Sequence, residues 1–112
     1  MPWSATLTRG NVLATLVAQV SLTPVSVAAN TTAEQNFTIP GLLVGDQVSN
    51  FSLQSAYPNS DVSFVNLRVS APNTLTVAYQ NGTGGALTPP SGNYYIEVNR
   101  LENLVQLPAS FI

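Results

Sequence analysis

Apolar and polar residues alternate with a period of two through most of the middle of this chain. Phe37 and Ile39 flank Thr38, and Leu67 and Val69 flank Arg68. Leu75, Val77 and Tyr79 alternate with Thr76 and Ala78, and Tyr94, Ile96 and Val98 alternate with Tyr95, Glu97 and Asn99. A strand turns successive side chains to opposite faces, so the pattern predicts strands with these apolar positions on a core. The segments are rich in Val, Ile, Thr, Tyr and Phe, which suit a half-buried pleated surface. Strands are predicted near residues 15–22, 24–29, 33–39, 46–54, 62–70, 74–80 and 94–100. Over residues 10–20 the spacing of Leu13, Leu16, Val17 and Val20 also fits one face of a short helix.

Turn residues punctuate these runs at the intervals of an antiparallel β-protein. Pro40-Gly41 closes one strand, and Tyr57-Pro58-Asn59-Ser60-Asp61 makes a loop. Ala71-Pro72-Asn73 reads as a tight connection, and the longest loop runs from Asn81 to Asn93 with four glycines and two prolines. Seven or eight short strands in about 90 residues predict an all-β fold: an antiparallel β-sandwich, with the jelly roll as its eight-strand variant. The domain is expected over residues 11–101, between an N-terminal arm of residues 1–10 and a C-terminal arm of residues 102–112. Both arms are apolar and lie outside the alternating pattern. If they dock on neighbouring subunits, Trp3, Leu7, Leu104, Leu107, Phe111 and Ile112 are the candidate protein-interface residues; the alternative is that the arms fold back on their own domain.

Composition changes the picture most through charge. Asp, Glu, Lys and Arg make up 7% of the 112 residues, against roughly 25% in an average soluble domain. The positive residues are Arg9, Arg68 and Arg100, there is no lysine, and the net charge is −2. Nucleic-acid binding needs clustered Lys and Arg, so no nucleic-acid partner is expected. Polarity comes instead from 11 Asn, 11 Ser, 11 Thr and 6 Gln. A surface of neutral amides and hydroxyls lets neighbours approach without desolvating charge. Free monomers usually guard exposed sheet edges with lysine and other charges, and their scarcity predicts edges covered by other chains. No run approaches the roughly 18 apolar residues of a membrane span. Arg9, the stretch Val12 to Val20 and Val27-Ala28-Ala29 loosely imitate a secretory signal, but Gln19, Ser21, Thr23 and Pro24 interrupt its apolar core.

Few catalytic chemistries remain open. There is no histidine for acid–base work, and with neither Cys nor Lys there is no thiolate or Schiff-base nucleophile. The carboxylates are Glu34, Asp46, Asp61, Glu97 and Glu102, scattered over different segments with no motif for a glycosidase pair. Asp46 and Asp61 lack the acidic cluster of a calcium loop, and turn roles fit both better. Asn81-Gly82-Thr83-Gly84-Gly85 has no following Lys-Ser/Thr, so it reads as a flexible surface loop rather than a phosphate loop. Asn30, Asn36, Asn50 and Asn81 head Asn-X-Ser/Thr triplets, where this composition gives about two by chance. Trp3, Tyr57, Tyr79, Tyr94 and Tyr95 invite a carbohydrate-stacking reading, although strand phase assigns Tyr79 and Tyr94 to the core. No enzyme activity, cofactor or metal is expected.

The run from Ala29 to Val48, with Asn30-Thr31-Thr32-Ala33-Glu34-Gln35-Asn36-Phe37-Thr38-Ile39-Pro40-Gly41-Leu42 at its centre, resembles a recurring small protein of tailed bacteriophages. The resemblance resumes at Asn66-Leu67-Arg68-Val69-Ser70-Ala71-Pro72-Asn73-Thr74-Leu75-Thr76-Val77, then at Asn81-Gly82-Thr83-Gly84 and Thr88-Pro89. It spans residues 29–100, a pattern of strands and turns that leaves both arms uncovered. Proteins of this kind are β-sandwich virion components, including capsid decoration or cement proteins. The resemblance implies a place on the capsid surface, contacts with the major capsid protein or other virion proteins, and a homo-oligomer (dimer or trimer). A tail, fibre or head-appendage subunit is the alternative, or a carbohydrate-binding module on the virion surface.

Overall fold

The structure, a computed structural model, describes residues 12–56 and 62–101. Six strands carry the fold: β1 (Val12–Leu22), β2 (Thr31–Thr38), β3 (Gln47–Leu53), β4 (Val62–Ala71), β5 (Thr74–Asn81) and β6 (Gly92–Leu101). They form two three-stranded antiparallel sheets, ordered β1-β6-β3 and β2-β5-β4, packed as a small β-sandwich. The described residues hold six strands rather than seven or eight, so the eight-strand jelly roll is not what they form. The stretch that also fitted a helix is a strand: β1 pairs with β6 along its whole length, from Val12↔Leu101 to Leu22↔Gly92. No helix long and apolar enough to cross a membrane is present among the described residues.

The clearest alternations became the two central strands. Leu75, Val77 and Tyr79 of β5 and Tyr94, Ile96 and Val98 of β6 are buried and face one another across the sandwich. Each fully buried side chain of this size contributes roughly 1.5–3 kcal/mol relative to exposure, so these six positions account for much of the driving force. Phe51 stacks on Tyr94 at 4.6 Å between ring centroids and meets Phe64 edge-on at 4.8 Å, joining β3 and β4 at one side of the sandwich. The hairpin at Pro72-Asn73 connects β4 and β5 as its sequence predicts. Its Asn73 is left-handed (φ 61°), the conformation a type II turn needs at its second central residue.

One expected strand did not form. Residues 24–29 lack a continuous strand because Pro24 has no N–H to donate and the segment crosses from one sheet to the other. Its backbone groups are satisfied piecemeal. The Gln35 side-chain amide bonds both the N–H and the carbonyl of Val25, at 2.9 and 2.7 Å. Val27 forms an isolated antiparallel bridge with Leu87. The glycine-rich loop after β5 also differs from the flexible loop expected of it. Asn81 is fully buried and donates to the carbonyls of Val27 (3.0 Å) and Gly85 (2.9 Å), while its Oδ1 accepts from the Thr83 N–H and hydroxyl. Further along, the Tyr94 hydroxyl donates to the Pro90 carbonyl at 2.6 Å. The loop is thereby stapled at three places.

Candidate interaction edge

Among the described residues β1 is an edge strand, paired with β6 on one side and with no strand on the other. Its sequence, Val-Leu-Ala-Thr-Leu-Val-Ala-Gln-Val-Ser-Leu, contains no charge and no proline over 11 residues. Register with β6 sorts its faces. Ala14, Leu16, Ala18 and Val20 lie on the side of Val98, Ile96 and Tyr94, toward the interior, while Thr15, Val17 and Gln19 lie with Asn99, Glu97 and Tyr95 on the outer face. Apolar residues occur on both faces, yet Leu13 and Val17 are 65% exposed and Leu16 60%. An exposed, long, uncharged edge with unpaired N–H and C=O groups is a template for pairing with another strand.

The other three edges are blunted. β2 carries Glu34 and has Val25 clamped beside it by Gln35. β3 breaks register between Ser49 and Ser52, with Asn50 left-handed at φ 52°. β4 carries Arg68 and two register shifts, between Phe64 and Asn66 and between Val69 and Ala71. β1 has one shift, at its extreme end between Val12 and Ala14. Bulges and charges are the devices by which sheets refuse partners. β1 uses almost none.

Beside β1 the sandwich opens into an apolar cleft of about 220 Å³. Ala14, Leu16 and Ala18 form one wall, and Ile39, Pro40 and Leu42 the other. Two polar anchors hold that second wall in place. Asn73 donates its N–H to the Leu42 carbonyl, accepts from the Ile39 N–H through its own carbonyl, and accepts from the Gly41 N–H through Oδ1. Arg100 makes a forked ion pair with Asp46, at 2.9 and 2.7 Å, and reaches the Gly41 carbonyl at 2.7 Å. Only 3% of the Asp46 side chain is exposed. The Arg100 hydrogen bonds, aided by the Leu43 N–H, hold the Asp46 carboxyl below its ordinary value against the opposing effect of burial. The cleft is thus apolar and firmly framed.

The outer faces are different in kind. On the β1-β6-β3 sheet, Thr15 donates to Asn99, Asn50 to Glu97 and Gln54 to the Tyr95 hydroxyl. On the other sheet, Asn36, Thr76 and Ser70 share a chain of hydroxyl and amide bonds at 2.6–2.7 Å, beside a forked Arg68–Glu34 pair. That pair lowers the Glu34 pKa. The described carboxylates therefore lie apart: Glu34 outside one sheet, Glu97 outside the other, and Asp46 in its ion pair. Tyr79 and Tyr94 are buried, as strand phase predicted, and Tyr95 is the exposed tyrosine among the described residues. They present no flat aromatic row.

Trp3, Leu7, Leu104, Leu107, Phe111 and Ile112, the interface residues expected from sequence, lie outside the described residues, as do Tyr57, Asp61 and Glu102. Sequence reasoning missed Leu13, Leu16 and Val17 as interaction candidates. A signal for them existed: β1 lacks clean alternation, and apolar residues of both phases mark a strand built to be covered on both faces. No family model, curated protein or solved structure matches this chain.

Proposed function

We propose that this chain is a virion structural protein of the capsid decoration or cement type, binding across junctions between major capsid proteins on the capsid surface and stabilising the head. The observation that carries the reading is the open, uncharged 11-residue edge of β1 backed by a framed apolar cleft. The low charge of the chain and the neutral amide and hydroxyl surface support it, because packing against protein neighbours then costs little charge desolvation. The resemblance of residues 29–100 to small virion proteins of tailed phages supports the setting. The chain acts by binding rather than catalysis. Its partners are capsid or other virion proteins and copies of itself, as dimer or trimer, with no nucleic acid or membrane involved. Many weak, repeated contacts on one particle add up through multivalency, so no single contact need be strong.

Quantifying the chain on purified particles tests this directly. Copies in fixed proportion to the major capsid protein, and heads that rupture at lower temperature when the gene is deleted, are the expected results. A handful of copies per particle would point instead to a tail, fibre or appendage subunit. Deletion particles of unchanged heat resistance would end the decoration reading.

A further inference from the structure

We infer that β1 docks against β1 of a second copy, antiparallel, about a two-fold axis through Val17 and perpendicular to the sheet. The inference rests on β1 being an open docking edge and deepens that reading by naming what covers it. In an antiparallel pair, residues directly opposite one another point to the same face. For two identical strands to extend the sheet with both interiors on one side, even-numbered residues must face even-numbered ones, and odd must face odd. The sum of paired residue numbers is then even, which puts the two-fold on a residue and not between two. Val17 is the midpoint of Val12–Leu22, and it alone sets the two strands opposite one another over their full length without overhang, the register shift between Val12 and Ala14 lying at the outer end.

That register is sterically and chemically self-complementary. On the interior side Leu16 meets the partner copy's Ala18, and Ala14 meets its Val20, so each large side chain faces a small one. Ala14, Leu16 and Ala18 are residues of the cleft wall, and the second copy's Leu16 would cover the mouth of the cleft beside Ala18. On the outer side Thr15 meets Gln19, polar with polar, and Val17 meets itself. Leu13 against Ser21 is the one mismatch. Centring on Leu16 instead would set two Leu16 side chains against each other and oppose Leu13 to Gln19. Charge points the same way. Any ionised residue near the axis would face its own copy, and β1 has none, whereas self-pairing of β2 about Glu34 or Gln35, its two central registers that keep face parity, would set Glu34 opposite its equivalent or two residues from it. The paired strip is about 36 Å long. A single strand pair of that length buries less than a standard interface, so a weak, concentration-dependent dimer is expected in free solution.

The chain has no cysteine, so one introduced thiol reads the register cleanly. At the axis the two Val17 Cα atoms would stand about 4.5–5.5 Å apart, inside the disulfide range. Two Thr15 Cα atoms would stand about 14 Å apart, well outside it. The full chain carrying Val17→Cys, Thr15→Cys, Gln19→Cys or, as a control on an open loop, Gly84→Cys is oxidised mildly and followed by intact mass. Circular dichroism confirms that each variant is folded. Val17→Cys is expected to cross-link at least tenfold faster than Gly84→Cys. Thr15→Cys and Gln19→Cys should cross-link when mixed and not when alone. A Val17→Cys rate equal to the control, or self-linking of Thr15→Cys, overturns the proposal. So does preferential linking of Val17→Cys to a second thiol placed at Leu7 or Leu107, or to a capsid protein. Failure here with stoichiometric copies on particles would leave the decoration reading standing, and a clean Val17 cross-link from a chain absent from particles would do the reverse.

Discussion

β5 and β1 are both strands with uncharged residues on two faces, and the molecule treats them in opposite ways. β5 is the centre of its sheet: Leu75, Val77 and Tyr79 face the core, and even the outward Thr76 and Ala78 are buried. Their cover is local, made by the Asn36–Thr76–Ser70 chain and the Glu34–Arg68 pair reaching across from the flanking strands. β1 carries a similar freedom from charge at the rim of the other sheet, where the described residues supply a strand neighbour on one side. Two-faced, charge-free strands signal a need for cover, while place in the sheet decides who provides it. For β5 the provider is this chain. For β1 we assign a second copy.

The largest effect should come from truncating β5. Leu75→Ala is expected to cost about 2–5 kcal/mol by chemical denaturation, because Leu75 is fully buried and the site cannot collapse easily. Asn81→Ala, at the end of the same strand, should cost about 1–3 kcal/mol, since the Val27 and Gly85 carbonyls each lose one of two donors and the Thr83 N–H loses its acceptor at a buried site. Hydrogen exchange should rise most in the loop of residues 82–91. If that loop kept its protection, the stapling role of Asn81 would be wrong.

Acid offers a gentler probe. The carboxyls of Asp46 and Glu34 have lowered pKa values in the folded protein, mainly through hydrogen bonds from Arg100 and Arg68. Such groups stabilise the fold above the ordinary carboxylate range, and that contribution is lost as pH falls through their lowered folded values. The arginines stay charged throughout, their own pKa values being raised further. The melting temperature should therefore be steady above about pH 5 and decline below about pH 4, with a shallower decline in Asp46→Asn. A melting temperature rising between pH 5 and pH 3 would contradict the sign. The smallest effect belongs to β1. Leu16→Ala, measured where the protein is monomeric, should change stability by about 0.5 kcal/mol or less, although its parent residue matches Leu75 in size. Equal costs at Leu16 and Leu75 would erase the distinction between the two strands.

Much of this architecture can be read from the residues themselves. The alternation at 75–79 and 94–98 identified both central strands and half of the buried core cluster, and Pro72-Asn73 identified the hairpin. The site was less legible. β1 appeared as an ambiguous stretch because its apolar residues obey neither a strict two-residue nor a clean helical period. Pairing with β6, 80 or so residues away in sequence, is what resolved it into an edge strand. Asn81 looked like one polar residue in a soft loop, since nothing local reveals that Val27 will arrive beside it.

From its residues alone, then, this protein was bound to be all-β, poor in catalytic groups, and low in charge. Those properties depend on side-chain chemistry and on the two-residue geometry of a strand, both of which act locally. Which strands sit at the rim, how Arg100 and Asn73 brace a cleft beside β1, and why, among the described residues, one edge carries almost no blunting device while three do were decided only in three dimensions. Those features depend on contacts between distant segments, where chain connectivity, register and steric fit select one arrangement among many that share the same local pattern.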